Sequence, residues 1–154
     1  MMRVLYATTN PGKLFEVGKF LNPFGIELLG PKDLGLSIDV SEEGNTLEEN
    51  ALLKARAYID EGIEYPVLAD DTGVEIDALG GEPGIHVRRW KDGKTRMSDQ
   101  EIIDYCIMRM QGIPRGKRTA QFRTVIAVGI PETGKGRSFI QHRALRWNAS
   151  RGHS

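Results

Sequence analysis

A chain of 154 residues, 40% of them hydrophobic, is long enough to bury the core of a single domain, and none of its apolar runs approaches membrane-spanning length. A single cysteine, Cys106, excludes an internal disulfide and a cysteine-built zinc site, and its helical apolar surroundings read as core filling. Formal net charge is zero, but residues 1–108 carry 20 acids against 11 bases while residues 109–154 carry 10 bases and one acid, Glu132. A basic segment beside an acidic body suits a phosphate or nucleic-acid partner, or simply a solvated face.

Met1 to Tyr6 runs straight into a strand pattern without the layout of a signal peptide, so a cytoplasmic protein is expected. The first strand is read over residues 3–7. Thr8-Thr9-Asn10-Pro11-Gly12-Lys13 follows and opens an amphipathic helix whose buried stripe is expected to hold Leu14, Val17, Phe20 and Leu21. A strand that turns through small polar residues into a helix start offers backbone donors and a lysine to a phosphate. The same residues also make an ordinary N-cap, with Thr9 or Asn10 capping and Pro11 at the first helical position. The spacing is not that of a Walker loop.

Ile26 to Leu29 reads as a second strand, and Pro31 to Val40 as a loop. The acidic stretch Ser41-Glu42-Glu43-Gly44-Asn45-Thr46 then opens a second helix, with Thr46 as N-cap and Glu49 completing a capping box. Its buried stripe is Leu47, Ala51, Ala55, Tyr58 and Ile59, with Asn50 and Lys54 four apart at the edge. Glu42 and Glu43 have no capping task and stand as metal-ligand candidates.

Val67-Leu68-Ala69 is a short apolar run that ends in Asp70-Asp71-Thr72-Gly73. Adjacent carboxylates repel one another and resist desolvation, which suits neutralisation by a hard cation; the same four residues are also ordinary turn chemistry. Val74 to Asp77 alternates as a half-exposed strand, and Gly80 to Gly84 is a dense turn region leading to His86, Arg88, Arg89 and Trp90. An arginine there can clamp phosphate and the tryptophan can stack on a base, although a surface arginine and a half-buried tryptophan explain both. Isolated His86 lacks a ligand-spaced partner. Ser98 starts a third helix with Ile102, Ile103, Cys106, Ile107 and Met110 on its buried side. Ala120 to Ile130 is a long strand, and residues 137–147 return as its antiparallel partner after a turn at Pro131 to Gly136. Residues 1–147 are expected to form one structured domain, with 148–154 frayed.

In this order, the segments resemble the inosine triphosphate pyrophosphatase family over roughly residues 3–130. The motifs that carry the resemblance are Thr8-x-Asn10-x-Gly12-Lys13 with Glu16, Glu43-Gly44-x-Thr46-x-x-Glu49-Asn50-Ala51 with Lys54-Ala55, Ala69-Asp70-Asp71-Thr72-Gly73, Pro83-Gly84 with Arg89, and Arg118-x-Ala120-x-Phe122. The resemblance implies an α/β fold with a mixed, elongated, twisted sheet flanked by helices. It implies Mg²⁺-dependent hydrolysis of ITP, XTP and dITP to a nucleoside monophosphate and pyrophosphate, in a homodimer. Residue by residue, it implies that Thr8, Asn10, Gly12 and Lys13 bind the triphosphate and that Asn50, Lys54 and Arg89 support it. Thr72 would touch substrate, Asp71 would be general base and metal ligand, and Glu42, chosen over Glu43, would be the second metal ligand.

Two departures accompany these matches. Val87 and Arg88 stand where the family has small residues before the matched arginine. The family's Phe-Gly-Tyr-Asp segment has no counterpart, and His142-Arg143 falls in the predicted hairpin strand rather than in a Ser-His-Arg segment. Much of the base-recognition lobe is therefore expected to be missing. The alternatives are a pyrophosphatase or phosphatase of relaxed or different substrate choice, and a non-catalytic nucleotide- or nucleic-acid-binding relic.

Overall fold

The computed structural model describes residues 1–41, 43–131 and, for the backbone alone, 139–148. Strands and helices follow one another as β1 (Met2–Tyr6), α1 (Pro11–Leu21), β2 (Ile26–Leu29), α2 (Leu47–Asp60), β3 (Val67–Ile76), β4 (Pro83–Gly84), α3 (Asp99–Arg109), β5 (Ala120–Ile130) and β6 (Phe139–Asn148). The strands lie in the order β2-β1-β3-β5-β6, with β4 joined to β3. β1 runs parallel to β2, in a register that opposes Leu5 to Leu29, and parallel to β3, where Leu5 opposes Val67 and Tyr6 opposes Leu68. β3 and β4 are antiparallel. The sheet is therefore mixed, as the motifs implied.

Two compact units divide the chain. The first comprises Met1–Asp71 with Val125–Ala144, and the second comprises Thr72–Thr124 with the end of β6 from Leu145. In the first unit, Val4, Leu5, Tyr6 and Ala7 of the β1 segment, Val67 and Ala69 of β3, Val125 and Ala127 of β5, and Leu47, Ala51, Ala55 and Tyr58 of α2 are buried. These α2 residues recur at helical spacing, so the stripe read from the sequence is the one that packs. Asn50 is the exception. Expected at the stripe's edge, it is only 4% exposed.

The second unit has its own apolar cluster of Ile76, Trp90, Met97 and Met110, against which Ile102, Tyr105 and Cys106 pack. Trp90 meets the Tyr105 ring edge-on at 5.3 Å between centroids. Of the two readings of Trp90, base stacking and a half-buried side chain, this geometry supports the second and carries it further, into the core. Ser98 caps α3 with a complete capping box to Glu101, whose carboxylate is drawn below the usual range by the Ser98 contacts.

Three other expectations are corrected. Asp70 to Gly73 is neither a turn nor a strand end: β3 continues unbroken from Val67 to Ile76, with both aspartates in its interior. Phe20 of α1 is 70% exposed, and α1 buries no residue fully; Phe15 and Phe24 are equally exposed, and the Phe20 and Phe24 rings lean on each other at 5.9 Å. On α3, Ile103 and Ile107 point to solvent. The helical period is right in each case, but it does not say how wide a stripe the neighbours cover. The expected turn falls, from residue 132 onward, outside the described residues, as do residues 149–154; β6 occupies the place of the expected return strand.

Candidate functional site

Successive side chains of a strand point to opposite faces, so Asp70 and Asp71 meet different partners. Asp70 accepts hydrogen bonds from the Tyr6 hydroxyl at 2.7 Å and from Lys13 Nζ at 2.7 Å. Its neighbour Asp71 has Lys54 Nζ 3.6 Å from Oδ1, an ion pair beyond hydrogen-bond range, while the same ammonium donates to the Asp70 main-chain carbonyl at 2.9 Å. All four charged side chains belong to the first unit. The aspartates and Lys54 are largely buried, whereas Lys13 is 43% exposed at its side chain and so remains accessible from solvent. Charges this poorly hydrated are held by pairing, and they form a two-carboxylate, two-ammonium cluster in the middle of β3. Burial first, and then the bond to Asp70, push the Tyr6 phenol well above its ordinary range, so it stays a protonated donor.

The Thr8–Lys13 segment supplies the lysine by a simple local device. Asn10 caps α1: its side-chain oxygen accepts from the Gly12 and Lys13 amides at 2.9 and 3.3 Å, and Pro11 takes the first helical position. Thr8 Oγ1 in turn accepts the Asn10 amide at 3.2 Å. The capping reading of this loop is thus realised, and the donors that the phosphate reading assigned to a ligand are engaged by Asn10. The Lys13 ammonium is what the loop presents to Asp70.

Asn50 ties the acidic loop to α2. Its Oδ1 accepts the Gly44 amide at 2.8 Å, and a Cβ at Gly44 would lie 2.5 Å from that oxygen and 2.8 Å from Glu49 Cβ. Only glycine fits there without a shift. Thr46 caps α2 by accepting the Glu49 amide, but the Glu49 carboxylate reaches back to the Asn45 amide, one residue earlier than a capping box requires. Glu43 is exposed, and Glu42 lies outside the described residues.

The remaining assigned residues fall in the second unit. Thr72 shares a 2.9 Å hydrogen bond between hydroxyls with Thr124. Arg89 is exposed and donates from Nε to the Lys94 carbonyl at 3.1 Å, while Arg88 pairs with Asp99. Tyr6 belongs to the cluster but escaped the sequence reading, whereas Asp70, read there with Asp71 as a carboxylate pair for a cation, was given no role of its own. For Tyr6 the available signal was slight, a polar-tipped aromatic closing a buried strand next to the Thr8 loop.

No three His, Cys, Asp or Glu side chains converge among the described residues. The described donors at the cluster are nonetheless all oxygen, carboxylate and carbonyl, with no sulfur or imidazole, and this is the donor chemistry a hard divalent cation takes.

Fold and cluster together define a mixed α/β protein with two largely buried carboxylates, each paired with a lysine, on the central strand of its sheet. The chain belongs to the Ham1 family, whose model matches residues 4–143. It is 39% identical over 128 residues to a dITP/XTP pyrophosphatase of Caldanaerobacter subterraneus subsp. tengcongensis, covering 83% of this chain and 63% of the relative. To the dITP/XTP pyrophosphatase of Symbiobacterium thermophilum it is 43% identical over 129 residues, covering 84% and 62%. The chain thus spans a little under two thirds of the length of these relatives. Among solved structures, the Staphylococcus aureus Ham1 protein superposes with a TM-score of 0.72 at 30% identity, over 95% of this chain and 71% of that one. A Coxiella burnetii HAM1 protein gives 0.72 at 28% identity, over 96% and 73%.

Proposed function

We propose that the chain is a nucleoside triphosphate pyrophosphatase that acts on the deaminated purine nucleotides ITP, XTP and dITP and releases a nucleoside monophosphate and pyrophosphate. The observation that carries the reading is the Lys13–Asp70 and Lys54–Asp71 cluster on β3, bordered by the Thr8–Lys13 loop. Relatives sharing about two fifths of the aligned residues are named for this activity on dITP and XTP.

In this reading Lys13, which is accessible from solvent, exchanges part of its contact with Asp70 for a phosphate oxygen, with Thr8, Asn10 and Gly12 shaping the loop around it. Lys54, Asn50 and Arg89 support the phosphates, and Thr72 touches the substrate. Asp71 accepts the proton of the attacking water as its oxygen bonds to the α-phosphorus and the bond to the departing pyrophosphate breaks. Mg²⁺ would be held by Asp71 and Glu42, and when bound it offsets triphosphate charge and polarises the phosphorus. The enzyme is assigned to the cytoplasm, consistent with the absence, among the described residues, of a helix long and apolar enough to cross a membrane. We assign it as a homodimer, and the exposed Phe15, Phe20 and Phe24 offer apolar area for such a contact.

The test is pyrophosphate release from ITP, XTP, dITP, ATP, GTP and CTP with Mg²⁺, then with chelator. Release confined to the deaminated purines and abolished by chelator supports the reading. Release from none of them, with or without added Mn²⁺, overturns it.

A further inference from the structure

β1 ends at Tyr6, and the Thr8–Lys13 loop leaves the sheet there, with the Thr8 amide donating to the Tyr6 carbonyl at 2.8 Å. In the parallel pairing of β1 with β3, Tyr6 stands opposite Leu68, and Asp70, two residues on, projects from the same face of β3 as Leu68. The phenol spans that step and donates to Asp70 Oδ1 at 2.7 Å, while Lys13 Nζ donates to Oδ2 at 2.7 Å. Each carboxylate oxygen therefore holds one donor, one from the sheet and one from the loop. The two donors differ in freedom: Tyr6 is 4% exposed, whereas the Lys13 side chain is 43% exposed. The tip of an aspartate turns about a broad, twofold torsion, and a bond from a buried phenol removes that freedom. A lysine side chain has many rotamers to lose when it meets an anion, unless something already holds it.

We propose that Tyr6 is a positioning residue for the reaction: by fixing the Asp70 carboxylate it keeps the Lys13 ammonium in one place, where a phosphate of the substrate meets it already ordered. The inference rests on the reading of Lys13 as a phosphate contact, and it adds a residue that itself touches no substrate. Lys13 need not leave Asp70 to do this. An ammonium carries three protons, so one stays on Oδ2 while the others turn to phosphate oxygens. A neutral donor suits the position of Tyr6. A cation there would repel Lys13 and compete with it for the carboxylate, and an aliphatic residue would take from Oδ1 its bond to the phenol at a site where the Asp70 side chain is only 12% exposed. The phenol stays protonated, since burial and then the bond to Asp70 push its pKa up.

Tyr6→Phe removes the hydroxyl and keeps the ring. At a temperature where this variant is folded, KM for dITP should rise about three- to tenfold, the cost of ordering one long side chain on binding, with kcat within about twofold of wild type. In a Lys13→Met background the same substitution should leave KM where Lys13→Met alone puts it, because Tyr6 acts through the lysine. Asp70→Asn keeps an acceptor for Tyr6 but loses the charge that holds the ammonium; it should raise KM in the same way, and it carries the test if Tyr6→Phe folds poorly. A KM equal to wild type in both variants overturns the proposal, as does an effect of Tyr6→Phe that is the same with and without Lys13. A KM lowered by Asp70→Asn also overturns it, since Asp70 would then compete with substrate for the lysine rather than place it. Calorimetric binding of inorganic tripolyphosphate separates this inference from the reading beneath it. If no nucleoside triphosphate is turned over, but tripolyphosphate binds and Tyr6→Phe weakens it only where Lys13 is present, the positioning role stands and the pyrophosphatase reading falls. Where turnover is intact and neither KM nor tripolyphosphate binding responds to Tyr6→Phe, the positioning role falls alone.

Discussion

Asp70 and Asp71 share a backbone but have separate tasks, because a strand sends adjacent side chains to opposite faces. Asp70 is held by Tyr6 and Lys13 and serves to anchor the loop lysine, so the proton-accepting role in the proposed reaction goes to Asp71. Replacing Asp71 by Asn should lower turnover by about 10²–10⁴, the usual contribution of a general base; a folded variant retaining most of its turnover would remove Asp71 from that role. Tyr6→Phe deletes a donor to a charged acceptor and should cost about 1–3 kcal/mol in urea denaturation. The Tyr6 phenol also makes a pH prediction. Its folded pKa lies above the ordinary 10.0, so above pH 10 the unfolded chain releases a proton that the folded chain retains. Stability is therefore complete below that pH and falls as pH rises beyond it, and Tyr6→Phe should flatten this alkaline slope.

At the scale of elements, α2 is the part that organises the site. Its N-terminus is capped by Thr46, its buried Asn50 holds Gly44 of the acidic loop, and Lys54, one turn further on, reaches the β3 aspartates. The loop's position is thus tied to that of the aspartates through a single rigid helix. Gly44→Ala would force a Cβ into Asn50 and should destabilise by about 1–3 kcal/mol, the range for an overpacked site. It should also raise the Mg²⁺ concentration needed for half-maximal turnover, since the acidic loop would shift. If the metal requirement did not change while stability fell, the loop would be structural only. The α3 cap acts locally by comparison: Ser98→Ala should cost about 1 kcal/mol, measured by urea denaturation, without altering turnover.

For the molecule as a whole, the boundary between the two compact units falls between Asp71 and Thr72, inside β3, and again between Thr124 and Val125, inside β5. Each unit therefore takes part of its sheet from the same two strands, and melting either one breaks strands that the other requires. We expect a single cooperative transition. Trp90 reports on the second unit, so in a Trp147→Phe background its fluorescence midpoint in urea should coincide with that of far-UV circular dichroism. Two separated midpoints would show that the units unfold independently.

Local chemistry alone determined much of this protein. The caps at Thr46 and Ser98, the cap of α1 at Thr9 or Asn10, the α2 stripe, the order of the three helices and the family membership all follow from residue types at fixed short spacing, whose physical effect reaches only one or two turns of backbone. Those motifs also located Lys13, Lys54 and Asp71 near one another by resemblance. Tertiary structure alone decided that Asp70 belongs with Tyr6 and Lys13, residues 64 and 57 positions away. It also decided that the two aspartates lie within a continuous strand, that Trp90 is core, and that Phe20 and Ile107 face outward. Pairings across such distances depend on which strands are neighbours. Outward faces depend on what is, or is not, packed above them, and periodicity carries no record of either.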